Sequence, residues 1–247
     1  MALDVEGIIL KSFNYGEKHK IIKIVTPKLG VIGVFISNGN KVGTKKNALV
    51  QPLTCAYFNL KDSSTGTNDL FFLNSGDIED YFLDLKLDYE KVTYGYYMAE
   101  IILKGNYDPE HNATVYNLFK RCLVLANEGY SIFLLNLIFQ LKMLPLLGIK
   151  PVIDYCAICQ TTENIVTLSV SQGGLVCGKC INFNEPIILD APLIPIVRAL
   201  YKVDLNNFPE IELEEEYLKP IETFLENYYD AYSGLYLNSK KFIKDLK

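Results

Sequence analysis

The hydrophobic period of this chain changes near residue 80, and the change divides it into two kinds of structure. Before it, Val5 to Phe13, Lys20 to Thr26, Val31 to Ser37, Leu53 to Leu60 and Asp69 to Asn74 are short runs rich in β-branched and aromatic residues. Turn-formers separate them: Asn14-Tyr15-Gly16, Pro27-Lys28-Leu29-Gly30, Ser37-Asn38-Gly39-Asn40, and Asp62 to Asn68. In the fourth run, Leu53, Cys55 and Tyr57 alternate with Thr54, Ala56 and Phe58, which is the period of a strand. Five short strands in about 80 residues suit a small closed barrel, and the OB-fold is the commonest five-stranded form. An SH3-like barrel has a similar count, and strand counting does not separate the two.

After Asp80 the period is helical. Val115, Leu118, Phe119, Cys122, Leu123 and Ala126 fall on one face of a helix. Tyr81 to Leu103 reads as one longer helix, ended at Gly105. Ser131 to Leu147 is apolar almost all round, as expected of the central helix of a bundle, and Pro145 and Gly148 close it. Helix resumes near Ala191, with Pro192 in its first turn, and runs to about Val203. A last helix extends from about Glu215 towards Ser233, and a tail with Lys240, Lys241, Lys244 and Lys247 follows Gly234. The expected organisation is α+β. Residues 1–79 are expected to form an OB-fold barrel, and residues 80–247 a helical domain interrupted by a separate element at 151–185. No repeat or low-complexity linker interrupts the chain, so its modules are expected to pack closely.

Between the helices lie Cys156-x2-Cys159 and Cys177-x2-Cys180. Each pair lets two thiolates reach one metal without strain, and two pairs complete a tetrahedron, so one structural Zn2+ per chain is expected. Gly173, Gly174 and Gly178 supply the turns that aim the sulfurs inward. Four cysteines leave no open coordination position for catalysis. The only histidines, His19 and His111, lack the H-x-E signature of a zinc deaminase and make histidine-based catalysis implausible. No phosphate-binding, dinucleotide-binding or calcium-loop motif occurs, and an enzyme is not expected. Cys55 and Cys122 stand alone in apolar runs and read as small buried hydrophobes. The acidic residues read as solvated surface.

The net charge of −5 hides an asymmetry. From Lys11 to Lys46 the chain carries Lys11, Lys18, Lys20, Lys23, Lys28, Lys41, Lys45 and Lys46 against Glu17 alone. From Glu185 to Asp230 the sign reverses around Glu210, Glu212, Glu214, Glu215 and Glu216. Brought together on a barrel, the loops Asn14 to Lys20 and Ser37 to Lys46 form a cationic groove. Lys11, Lys18, Lys20, Lys23, Lys41, Lys45 and Lys46 are the candidate DNA contacts, and Tyr15, Phe35 and Tyr57 are candidate stacking platforms. No secretory signal opens the chain. Its most apolar stretch, Ile132 to Leu147, is broken by Asn136, Gln140, Lys142 and Pro145, and falls short of the roughly 20 residues needed to span a bilayer. A cytoplasmic soluble protein is expected.

Several stretches together resemble the RecO family of bacterial recombination mediators. Glu6-Gly7-Ile8-Ile9-Leu10-Lys11 followed by Tyr15-Gly16-Glu17 is similar to that family's first hairpin, and Thr26-Pro27-Lys28-Leu29-Gly30 to its next turn. Lys45-Lys46 with Gln51-Pro52-Leu53 resembles the basic loop before the fourth strand, and Tyr97-Met98-Ala99-Glu100 the start of its bundle. Leu147-Gly148-Ile149-Lys150-Pro151 resembles the approach to its zinc site, and Leu237-Asn238-Ser239-Lys240-Lys241-Phe242 its closing motif. The resemblance implies an OB-fold, a helical domain and a zinc element. It also implies binding of single- and double-stranded DNA, annealing of complementary strands, and partnership with RecR. Such proteins help load RecA onto DNA coated by single-strand DNA-binding protein. A zinc-stabilised adaptor that binds proteins rather than DNA is the alternative.

Overall fold

The computed structural model describes residues 2–41, 43, 45–61, 70–182, 184, 189–209 and 213–246, the side chains of Lys45 and Lys244 excepted. The expected turn at Asp62 to Asn68 lies outside these residues, as do Asp69, Glu185, Glu210, Glu212 and Lys247. The chain divides into two compact units, Met1–Ile132 with Leu237–Lys247, and Phe133–Tyr236.

The first unit begins with five strands: β1 (Ala2–Tyr15), β2 (His19–Thr26), β3 (Gly30–Ile36), β4 (Cys55–Lys61) and β5 (Leu70–Asp80). They close into a barrel in the order β1-β2-β3-β5-β4, and β4 pairs back onto β1. Only the β3–β5 pairing is parallel among these strands. This order is that of the OB-fold, so strand pairing separates it from the SH3-like barrel where a count of strands did not. Closure depends on the length of β1. Its first half, Ala2 to Ile8, pairs with β4, and Ile8 to Tyr15 pairs with β2. An irregularity between Ile9 and Lys11 turns the strand from one partner to the other.

Alternation fills the interior. Ile22 and Ile24 of β2, Ile32, Val34 and Ile36 of β3, and Phe58 and Leu60 of β4 form its core with Ile9 and Leu73. Each such side chain stabilises by about 1.5–3 kcal/mol relative to exposure. The β2–β3 turn is locked by Thr26, whose hydroxyl donates to the Gly30 carbonyl (3.1 Å) and accepts from the Leu29 N–H (3.0 Å). Gly30 has φ 66°, and a Cβ there would lie 2.6 Å from Asn112 Oδ1, so both conformation and space require glycine.

Helices α1 (Lys45–Ala48), α2 (Leu83–Lys86), α3 (Tyr89–Lys104) and α4 (Asn112–Asn127) complete most of this unit. The single helix expected over Tyr81 to Leu103 is two. Asp88 adopts an extended conformation, and its carboxylate caps α3 by accepting from the Lys91 N–H (3.0 Å). The end of α3 at Gly105 and the buried face of α4 agree with the sequence reading, with Val115, Phe119, Cys122, Leu123 and Ala126 fully buried.

The second unit takes up α5 (Ile132–Leu146) from Phe133 onward, a hairpin of β6 (Ile165–Ser169) and β7 (Gly174–Cys177), α6 (Ile194–Lys202) and α7 (Glu215–Tyr232). Ile138, Phe139, Leu141 and Leu144 on different sides of α5 are all buried, as its nearly uniform apolar surface requires. The Tyr229 hydroxyl of α7 donates to the Gln140 carbonyl of α5 (3.0 Å), and Arg198 of α6 donates to the Ile153 carbonyl (2.8 Å).

A final short helix, α8 (Lys240–Lys244), belongs to the first unit and was not expected from the sequence. Glu100 of α3 holds it. That carboxylate accepts from the N–H groups of Asn238 (3.1 Å) and Ser239 (2.7 Å) and from the Ser239 hydroxyl, and pairs with Lys104 (2.8 Å). Two separated stretches that carried the family resemblance therefore meet in space.

Candidate nucleic-acid interface and metal centre

The side chains that alternate with the barrel core face outward, and the strand register arranges them in rows. Phe13 lies opposite Ile21, Ile21 opposite Phe35, Phe35 beside Phe72, and Phe72 opposite Lys61. One row along, Lys11 lies opposite Lys23, and Lys23 opposite Gly33. On the other side Tyr15 lies opposite His19. The rings touch: Phe35 is 5.4 Å from Phe72, 5.2 Å from His19 and 5.8 Å from Tyr15, centroid to centroid. Tyr15 is 56% exposed, Phe72 41% and Phe13 39%.

The loops on either side of β2 and β3 meet at one end of the barrel. The Asn40 side chain donates to the Glu17 carbonyl (2.9 Å), the Asn40 N–H to the Lys18 carbonyl (3.3 Å), and the Asn38 N–H to His19 Nδ1 (3.3 Å). Lys18 and Lys41 are exposed there. Lys20 runs beside Gly39, and Lys46 donates to Ser37 Oγ (3.3 Å). The side chain of Lys45 lies outside the described residues. Lys11 and Lys23 sit apart from these loops, on the strand face. Among the described residues, Lys11, Lys18, Lys20 and Lys23 form no ion pair. Tyr57 departs from the expected grouping, since it lies opposite Glu6 and Asp77, away from the lysines. Phe13 and Phe72 were not singled out from the sequence, and His19 was weighed there only as a catalytic histidine. The signal that could have found them was their position in the outward phase of strands already recognised.

A second cluster was also missed. Lys120 of α4 donates to Glu6 of β1 (2.6 Å) and Glu79 of β5 (2.9 Å), Tyr116 donates to Glu6 (2.6 Å), and the Cys55 thiol donates to Glu79 (3.0 Å). Burial would raise the Glu6 pKa, but Lys120 and Tyr116 hold it below the usual value. Burial, with Glu79 beside it, pushes the Cys55 thiol up to about 12. Cys55 is buried, as its apolar run predicts, yet it is also hydrogen-bonded. Glu6 and Glu79 are partners of Lys120 rather than plain solvated surface, because the barrel brings β1 and β5 beside β4 and sequence distance conceals that.

In the second unit, Cys156, Cys159, Cys177 and Cys180 come together with their sulfurs all within 4.8 Å of one another. Two turns present them. The Gln160 N–H donates to the Cys156 carbonyl (2.9 Å), and the Cys180 and Ile181 N–H groups donate to the Cys177 carbonyl (3.0 and 3.1 Å). Gly174 lets β7 run against Val152: a Cβ at Gly174 would lie 2.6 Å from the Val152 carbonyl oxygen. Burial pushes the Cys156 thiol up, but the N–H groups of Cys159, Cys177 and Ile158 bring it down to about 6. Cys177 is lowered by the N–H groups of Lys179 and Cys180 against its own desolvation. Hydrogen bonds from Cys180 to Cys159 and Cys177 push Cys180 up to about 12. Four thiols in this space can hold a metal ion as thiolates. Bonds of about 2.3 Å in a tetrahedron would set sulfurs about 3.8 Å apart, and Cys159 and Cys177 are 3.6 Å apart.

An OB-fold barrel with an outward basic and aromatic face, joined in one chain to helices and a four-cysteine centre, defines a class of OB-fold proteins with a metal-capable helical domain. Family models for the N-terminal part of recombination protein O match residues 1–82, and for its C-terminal part residues 86–241. The chain belongs to the RecO family. It is 31% identical to the DNA repair protein RecO of Listeria monocytogenes serotype 4b (strain CLIP80459), over 98% of this chain and 93% of that protein. It is 32% identical to the DNA repair protein RecO of Bacillus pumilus (strain SAFR-032), over 100% and 95% respectively. Among the described residues, no helix is long and apolar enough to cross a membrane.

Proposed function

We propose that this chain is a non-enzymatic DNA-repair mediator that binds single- and double-stranded DNA and anneals complementary strands. The observation that carries the reading is the basic front of the barrel, where β2 and β3 hold no aspartate or glutamate and, among the described residues, Lys20 and Lys23 form no ion pair. Lysines that neutralise phosphates laid on that face displace the strand's condensed counterions into solution, which favours binding. With two complementary strands held there, the same charges lower the repulsion between their phosphates, and pairing proceeds without a covalent step. Family membership and the relatives' printed names support a repair role. In this reading the partners are RecR, single-strand DNA-binding protein and, indirectly, RecA, and the protein acts in the cytoplasm at the nucleoid.

The four cysteines hold one Zn2+ with a structural role. The ion would take up all four sulfurs, leaving no position for substrate, and its binding energy would stabilise the hairpin that carries them. The reading is tested by annealing complementary oligonucleotides with the purified protein. Wild type is expected to accelerate annealing, and the triple variant K41E/K45E/K46E to lose most of that acceleration. Equal rates with and without protein would contradict the proposal.

A second reading, a protein-binding adaptor, draws on a cavity of about 350 Å³ in the first unit. Leu10, Tyr96, Leu103 and Phe242 give it apolar walls, and Lys11 and Lys104 stand at it. Partner binding without any DNA binding at low salt would favour that reading.

A further inference from the structure

We infer that the exposed face of α3, continued by α2 at one end and α8 at the other, is a self-complementary surface on which a second copy of this chain docks about a two-fold axis.

The carboxylates from Asp77 to Glu90 are interleaved with apolar side chains that the fold leaves in water. Asp77, Glu79, Asp80, Asp84, Asp88 and Glu90 stand against Lys86 alone. Between them Ile78, Tyr81, Leu83, Leu87 and Tyr89 are exposed, Leu87 by 77% and Tyr89 by 66%. A single exposed leucine is ordinary, whereas a cluster rimmed by charge marks an interaction site. Helix α3 carries the surface onward. Tyr89, Tyr96 and Leu103 are spaced by seven residues, so they line one side of a helix about 24 Å long. Tyr96 is exposed, and the Tyr81 hydroxyl lies close enough to add to burial in raising its pKa. Tyr96, Leu103 and Phe242 of α8 line one cavity, so the apolar surface continues onto α8.

At that end the charge reverses. The tail from Lys240 holds Lys240, Lys241, Lys244 and Lys247 against Asp245 alone. Lys241 lies 4.9 Å from the centroid of the exposed Phe242 ring, and Glu100 nearby is already paired with Lys104. The face is therefore apolar along its length, anionic at the α2 end and cationic at the α8 end. A ligand of one sign matches half of it. A second copy turned by 180° matches all of it, since each acidic end meets the other's basic end and the apolar middles meet near Tyr96. Such an interface is isologous, the form that two-fold homodimers take, and like ends repel in the wrong register. In the annealing reading, a dimer holds two barrels in one particle, so two strands meet at a raised effective concentration. Self-association itself does not depend on that reading.

The test follows the full-length protein by sedimentation velocity, without DNA, across about 1–100 μM, where an interface of modest affinity dissociates. Wild type is expected to pass from monomer to dimer with concentration, and the dimer to weaken as salt rises. Two variants each reverse one end: Asp84→Lys with Glu90→Lys, and Lys240→Glu with Lys241→Glu. Each alone is expected to stay monomeric, because its two ends then carry the same sign. Mixed in equal amounts, they are expected to form a one-to-one heterodimer, which loss of fold could not produce. Phe242→Ser is expected to weaken the wild-type dimer without changing its charge, and melting curves establish that every variant is folded. A wild type that stays monomeric throughout would overturn the inference and leave the face to a different protein. So would a reversed variant that still pairs with itself, or folded variants whose mixture stays monomeric. Because no DNA is present, these failures are distinct from a failure to anneal.

Discussion

At the scale of single residues, Glu100 shows how much a side chain can organise from a helix surface. Burial would raise its pKa, but Lys104, the Ser239 hydroxyl and the N–H groups of Ser239 and Asn238 hold it at about 2, against an ordinary 4.5. A carboxylate depressed in the fold contributes stability that is fully present above its unfolded value and is lost as pH falls through the folded one. The contribution should therefore be intact at neutral pH and fade between about pH 4.5 and about 2. Glu100→Gln keeps an acceptor oxygen and loses the charge. It is expected to cost about 1 kcal/mol at pH 7, with faster amide exchange at Asn238 and Ser239, and the deficit should shrink on acidification. A deficit independent of pH would show that charge is not what holds the tail. The sequence marked both stretches as family-like but not their meeting, because a contact across 139 residues leaves no periodic trace.

At the scale of elements, local pattern was informative wherever one face of the element is buried. The five strand runs and the buried face of α4 were legible because alternation and the helical repeat both arise from one-sided burial. The break between α2 and α3 was not, since Tyr81 to Leu103 holds no proline and Asp88 acts through its side-chain cap. The cysteine spacing was legible because two CxxC pairs are a local pattern, and the fold brings their four sulfurs together. The β6–β7 hairpin around it was less so, being only 5 and 4 residues per strand. Its weak point is Gly174, where any Cβ would press on the Val152 backbone. Gly174→Ala is expected to destabilise by about 1–3 kcal/mol and to surrender bound metal to a chelator at lower concentration than wild type. Melting curves and metal analysis measure both, and an alanine variant that keeps its metal and its melting temperature would contradict this account of the hairpin.

At the scale of the whole molecule, the four cysteines have a geometry suited to architecture, and the surface suited to a polyanion is on the barrel. The distribution of charge in the sequence pointed to that barrel, while the aromatic rows appeared only once register placed Phe13, Phe35 and Phe72 side by side. If lysines hold phosphates, affinity for a single strand must fall with salt, with log affinity linear in log salt and a slope of about −0.7 per phosphate neutralised. The most direct measurement is that slope for wild type and for K41E/K45E/K46E on the same oligothymidylate. A steep negative slope for wild type is predicted, flattened by about 2 in the variant, or about 0.7 for each of the three lysines. A wild-type affinity that does not change with salt, or a variant with the wild-type slope and affinity, would contradict the placement of DNA on the basic face of the barrel.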